Sequence, residues 1–295
     1  MSVTPGQLTP EELRITGVTM AYLHWCTMKG SAFFSEMLTA PRVGSIAESS
    51  LRDKDLMEPI YLAGMYLHVA LDHYLTLQSM FIPAQVPEGA PTQELRNYAP
   101  YTIVRGAFEA DAWACWLLDS QVDAAQRLAR ALTLRAENLR GLLHLGETDN
   151  YGPRASRLVE VATANGLAAR RNRDGEVIDV GVRRPLMTAL LDELLPMTTS
   201  DTKGHPLGSH TYGLLSARTH GNPWAVLHNA RARGLIGPHA AVAEVVIDVV
   251  ELMRLLSISL RLHNEAMGRT AILNGQDPAD WEKLRGPTAE TRLGR

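Results

Sequence analysis

Cysteine and lysine are scarce in this chain. Cys26 and Cys115 are the two thiols in 295 residues, each within a helical pattern and without CxxC spacing. That excludes a disulfide framework and a clustered-cysteine metal site, and it predicts two reduced core thiols. Lysine stands only at 29, 54, 203 and 283; the arginine bias looks like genome composition and carries no mechanism. Aromatic residues make up 6%. No apolar run approaches the roughly 18 residues that suggest a membrane span, and the N-terminal MSVTPGQLTPEE is polar, so the expectation is a soluble, cytoplasmic protein with no membrane contact. A net charge of −3 and a pI near 6.4 exclude a protein that coats nucleic acid by charge alone. There is no Gly-rich phosphate loop, GxGxxG, nucleophile elbow or HExxH, which removes most common kinase, dehydrogenase and hydrolase readings. The Glu-x-x-His pair of diiron carboxylate proteins is also missing.

What is present is helical periodicity nearly from end to end, on a chain 45% apolar. That length and composition can bury a large core. The pattern predicts an all-α, single-domain helical bundle over 1–295, with about five long helices plus short ones and at most one small β-hairpin. The core spans 10–268, and 286–295 reads as a loose tail. Thr9-Pro10-Glu11-Glu12 opens a helix reaching about Lys29. A second helix covers roughly 51–80, with a break or true start near Pro59, and a Pro-rich connector follows at 82–91.

The stretch from Tyr98 to Asp119 is apolar nearly all round its axis, with Asn97 as a candidate cap and Pro100 in the first turn. Arg105 and Glu109 lie one turn apart in it, and the pair is expected inside the molecule. A helix capped by Ser120–Asp123 then runs to about Leu145, with Arg127, Arg130, Arg135 and Arg140 mostly outward. A short helix at 153–165 ends at Gly166. Asp174-Gly175 beside Val177, Ile178 and Val180 suggests the hairpin. Residues 186–195 are helical, and HTYGLLSARTHGNPWAVLHNARARG reads as two helical pieces broken at Gly221-Asn222-Pro223. The last large helix is expected from Pro238 to Gly268, with an apolar stripe wide enough to suggest a homodimer face. Asp277–Leu284 is expected to close the chain as a short helix.

Chemistry-bearing residues are dispersed. His68 and Asp72 stand one turn apart, a spacing at which both could ligate one divalent metal, with His263 as a further ligand; Glu109, His220 and Glu265 lie on other helices. No organic cofactor is predicted. Ser216 and His220 are i,i+4 neighbours, which permits a hydrogen bond. Arg170, Arg171, Arg173, Arg183 and Arg184 flank the hairpin among Asp174, Glu176 and Asp179, and read as a solvated, charge-balanced loop.

Two segments, YTIVRGAFEADAWACWLLD and YGLLSARTHGNPWA, together resemble a group of uncharacterised actinobacterial helical proteins and, more distantly, the HEPN superfamily of helical nucleotide- and RNA-associated domains. The resemblance covers roughly residues 55–265. HEPN ribonucleases carry Arg and, four to six residues later, His near the start of a late helix. The position matching that His is His220, while Leu215-Ser216 replaces the matching Arg and Arg218 lies between; RGLIGPH at 233–239 is a literal match in a Gly/Pro turn. The resemblance implies a HEPN-like helical fold, often paired as a dimer, and an RNA or nucleotide-type ligand. Its site draws on Arg105, Glu109, Ser216, Arg218 and His220. The alternatives are a small-molecule enzyme with its site inside the bundle, metal-assisted through His68, Asp72 and His263, and a non-catalytic interaction protein.

Overall fold

A computed structural model describes residues 9–39, 42, 44–47, 58–81, 98–198, 202–228, 230–237, 240–245, 248–279 and 281. In chain order the elements are α1 (Pro10–Thr39), α2 (Glu58–Phe81), α3 (Ala99–Leu117), α4 (Ala124–His144) and α5 (Thr148–Ala164), then β1 (Ala169–Arg171) and β2 (Val177–Val180). They continue with α6 (Met187–Leu194), α7 (Leu207–Thr219), α8 (Pro223–His228), β3 (Ala230–Gly237), β4 (Ala240–Val245) and α9 (Val249–Leu273). The all-α bundle is the architecture found.

α3 is the central helix. α2, α9, α7, α6 and α4 all pack against it. Its buried residues explain why so many neighbours fit: Ala107, Ala110, Ala112 and Ala114 leave shallow surface for close approach, while Val104, Phe108 and Leu117 fill the gaps between helices. Pro100 lies in its first turn as expected, the N-cap residue is Tyr98, and Asn97 lies outside the described residues. At the other end, two arginines read as outward turn inward. Arg127 donates to the Asp119 and Val122 carbonyls, and Arg130 donates to the Trp116 carbonyl at 2.6 Å and to Asp119 Oδ2 at 3.1 Å. They satisfy carbonyls that the last turn of α3 and its following turn leave open. Asp123 caps α4, its carboxylate accepting from the Gln126 N–H at 2.7 Å.

Three boundaries differ from the sequence reading. α1 continues past Gly30 to Thr39, and α5 starts at Thr148, ahead of Pro153. The third difference is larger, because the helix expected from Pro238 begins only at Val249 and runs on to Leu273. Residues 230–237 and 240–245 pair instead as an antiparallel ribbon, from Ala230 opposite Val245 to Gly237 opposite Ala240, so two ribbons stand where at most one hairpin was expected. Of the valines that fall on a helical period, Val242 and Val245 lie in β4, in keeping with the extended preference of β-branched side chains, while Val249 opens α9.

α9 packs on α3, α1 and α7. Its stripe of Leu252, Met253, Leu256, Leu260 and Leu262 is therefore buried within the chain, not left for a partner. A second apolar cluster lies beneath the β1–β2 hairpin, where Leu128, Leu132 and Leu139 of α4 meet Leu158 of α5 and Val177 and Val180 of β2. Thr133 fastens the hairpin there, accepting from the Val180 N–H at 2.9 Å and donating to the Val182 carbonyl at 3.0 Å. Of the expected closing helix, Trp281 is described and buried, 5.0 Å from the Trp25 ring; residues 282–295 lie outside the described residues.

Candidate functional site

Arg105 and Glu109 project from one face of α3 toward α7, a short helix held by its neighbours at both ends. At the start of α7 the Asp192 carboxylate of α6 accepts from the Ser209 N–H at 2.7 Å, replacing the side-chain cap that its own N-cap residue, Pro206, cannot supply. At its end the chain turns sharply through Gly221, whose φ of +61° suits glycine. This fixes Tyr212 and His220, eight residues apart and hence on nearly one face of the helix, against α3.

Arg105 is the hub of the site. Its Nε donates to Glu109 Oε1 at 2.8 Å, Nη2 donates to Tyr212 Oη at 3.1 Å, and Nη1 lies 2.9 Å from His220 Nε2. The guanidinium also sits over the Tyr212 ring, 5.3 Å from its centroid. An arginine N–H can only donate, so Nε2 of His220 accepts and its hydrogen rests on Nδ1, giving a neutral imidazole with a defined tautomer. Burial works against the charge of Arg105, but the Tyr212 hydrogen bond and the Glu109 carboxylate outweigh it, and the pKa lies above the ordinary arginine value. Arg105 is therefore a permanent cation. The Arg105 and Glu109 side chains are 20% and 32% exposed, which places the pair at the molecular edge and not, as the sequence pattern suggested, inside the core.

The remaining hydrogens define what the cluster can do. Guanidinium carries five N–H donors and three are used, leaving one on each Nη; Tyr212 accepts from Arg105 and keeps its own O–H; His220 keeps Nδ1–H. None of these has another partner among the described residues. The cluster thus holds a partly exposed guanidinium, paired with Glu109 and keeping one N–H on each Nη for a further acceptor.

The other expected site residues behave differently. Arg218 is buried, 3% exposed, and its Nη2 donates to Glu251 Oε2 at 2.7 Å, its Nη1 to the Ala225 carbonyl, with the guanidinium 5.6 Å from the Tyr101 ring. It ties the end of α7 to α8 and α9. Arg218 stands two residues before His220, and its guanidinium is turned to Glu251 and the Ala225 carbonyl, not to Arg105. Burial and the Glu251 charge beside it push the Tyr101 hydroxyl well up. Ser216 makes no side-chain hydrogen bond to His220; its carbonyl accepts from the His220 N–H at 3.0 Å. The Arg170 cluster follows its charge-balanced reading, with Arg170 on Asp179 and Arg184 3.3 Å from Glu137.

The metal trio does not assemble. His68 and Asp72 are exposed on α2, whereas His263 is fully buried, and Glu265 pairs with Arg269 at 2.8 Å. No group of three or more His, Cys, Asp or Glu side chains gathers among the described residues.

His263 belongs to a network that sequence reasoning missed. Its Nδ1 lies 2.8 Å from Asp111 Oδ1, the Tyr74 hydroxyl donates to Asp111 Oδ2 at 2.8 Å, and Ser259 Oγ is 2.8 Å from the same hydroxyl. All four residues are 0% exposed. Burial, reinforced by the Asp111 charge, holds the Tyr74 phenol well above its ordinary pKa. The network joins α2, α3 and α9 as a fully buried polar fastening. Burial likewise pushes up the Cys115 thiol, which donates to the Leu262 carbonyl, and Cys26 is buried as well, so both are core residues in keeping with their spacing.

The chain matches no family model, no curated protein and no solved structure. The functional reading therefore stands on this geometry. Tyr212 was the missed member of the site, and its signal was only positional: it lies on the same helical face as His220, eight residues away.

Proposed function

We propose that this protein binds a phosphate-bearing ligand of the RNA or nucleotide type at Arg105, Tyr212 and His220, in the manner of a HEPN-like module. The observation that carries the reading is the Arg105 fork: held by Glu109, Tyr212 and His220, it keeps one N–H on each Nη for a ligand, with the Tyr212 hydroxyl next to Nη2. Planar paired donors match phosphate oxygens, and preorganisation lowers the entropy lost on binding. Trp224 is 54% exposed at the start of α8, just past the turn that carries His220. It offers an aromatic face on which a base can stack. Recognition fits this geometry better than strand cleavage, because the His220 lone pair is occupied by Arg105 and Arg218 is committed to Glu251.

Fluorescence anisotropy with a labelled single-stranded RNA, competed by adenosine monophosphate, tests the proposal. Arg105→Gln is expected to weaken binding by about tenfold or more, the loss of a charge-assisted hydrogen bond pair. Its melting temperature should stay near that of the wild type, since a pair this exposed contributes about 1 kcal/mol or less. Wild-type protein that binds neither probe, or an Arg105→Gln variant that binds as well, would refute the reading.

A homodimer is part of the same proposal, but its face moves. α9 is enclosed, whereas Tyr61, Met65 and Val69 form an exposed row at i, i+4 and i+8 on α2, with Leu75 further along. Two copies of α2 packed antiparallel would lay this row on itself about a two-fold axis. Light scattering at micromolar concentration should give twice the 32.4 kDa chain mass, and a monomer mass there would end the dimer proposal.

A further inference from the structure

A second binding feature lies away from α7, in the smaller apolar cluster. α4 and α5 pack through Leu132, Leu139 and Leu158 and leave an open groove of about 640 Å³ between them. That volume lies in the range of small-molecule sites, roughly 300–1,000 Å³. Its floor is mainly aliphatic, with Leu142 and Val161 continuing the row beside Asn138, and no aromatic ring lines it among the described residues. The stretch of α4 from Leu132 to Leu142 runs for roughly 15 Å at 1.5 Å per residue.

The rim is cationic. Arg135, Arg154 and Arg157 line it against one carboxylate, Glu58. Glu58 is already bound to Arg135, and Glu160 stands 3.3 Å from Arg157 across an exposed contact. Arg154 has no ion pair among the described residues. Arg154 and Arg157 are three apart on α5, so their side chains are neighbours on one face at the edge of the groove.

We infer that this groove binds a single-tailed amphipathic anion, a medium-chain fatty carboxylate, with its alkyl chain along the aliphatic floor and its carboxylate at Arg154 and Arg157. An alkyl chain suits a long floor that has no ring to stack a base. A carboxylate suits an arginine pair with unmatched positive charge, where two-pronged hydrogen bonding reinforces the attraction. This site is independent of the Arg105 cluster, so either can fail without the other.

Isothermal titration of the full chain with sodium dodecanoate, dodecanol and dodecyltrimethylammonium, each below its micelle concentration, tests the inference. Dodecanoate should bind one to one, with the other two weaker by about tenfold or more, because neither supplies the carboxylate. The double variant Arg154→Glu, Arg157→Glu should lose dodecanoate binding by about tenfold or more while its ligand-free melting temperature is maintained, both residues being exposed. Equal affinity for all three amphiphiles would overturn the inference, as would dodecanoate binding that survives the double variant. So would binding to phosphatidylglycerol vesicles without binding to monomeric dodecanoate, since that would make the rim a membrane-surface contact.

Discussion

Replacing Asp111 with alanine should destabilise the protein by about 3–5 kcal/mol, the cost typical of removing one partner from a buried charged or hydrogen-bonded group. Asp111 accepts from Tyr74 and holds His263, and every member of the network is 0% exposed. Without the carboxylate, His263 Nδ1 would join Nε2 of the same ring, which has no hydrogen-bond partner among the described residues. Both ring nitrogens would then be stranded in the core. All these side chains are 0% exposed, so the lost bond is not replaced by bulk water. Three helices would loosen together because the network spans α2, α3 and α9. Denaturant titration followed by circular dichroism gives the measurement. The companion variant His263→Leu should also destabilise, and the double variant should cost less than the two singles summed, because the partners no longer strand each other. An Asp111→Ala variant within about 1 kcal/mol of wild type would show the network contributes little.

The second large effect is expected at Gly208. A Cβ there would stand 2.1 Å from the Leu191 carbonyl oxygen and 2.3 Å from its carbon, both backbone atoms of α6 that cannot swing aside. Gly208→Ala should therefore push α7 off α6 at about 3 kcal/mol or more, at the upper end of overpacking costs. Because α7 carries Tyr212 and His220, ligand binding at Arg105 should fall with stability. Gly213 on the same helix is the control. Its Cβ would meet nothing within 4 Å, and Gly213→Ala should stabilise by about 0.5–1 kcal/mol through helix propensity alone. Equal effects of the two substitutions would contradict the close approach of α6 and α7.

How far the sequence can be read is seen by comparing two carboxylates one helical half-turn apart. Glu109 drew attention because Arg105 stands one turn before it, a local pairing visible in the chain itself, yet the structure leaves that pair 20–32% exposed at the rim of a site. Asp111 had no local partner and was passed over, although it is the fully buried one. Its partners, Tyr74 and His263, lie 37 and 152 residues away. Arg127 and Arg130 show the same limit, since their acceptors are carbonyls at the end of α3 that no periodicity reveals. The ribbon of 230–237 with 240–245 shows another: strands and a helix are both compatible with the valine spacing, and strand pairing prevailed over the helical period.

The sequence by itself determined the all-helical class, the central place of α3, the hairpin at Asp174-Gly175, the break at Gly221 and the buried cysteines. Each of these depends on near neighbours in the chain: side-chain period, caps, turn residues and composition act over a few residues and need no partner from afar. Tertiary structure alone decided that Arg105 meets Tyr212 and His220, that Arg218 turns inward to Glu251, and that Asp111 is the buried charge. It also decided that the stripe of α9 is enclosed and that Tyr61, Met65 and Val69 of α2 are exposed. Those outcomes depend on which helix faces meet, and helix faces are matched by side-chain shape and burial across long separations that a one-dimensional pattern does not encode.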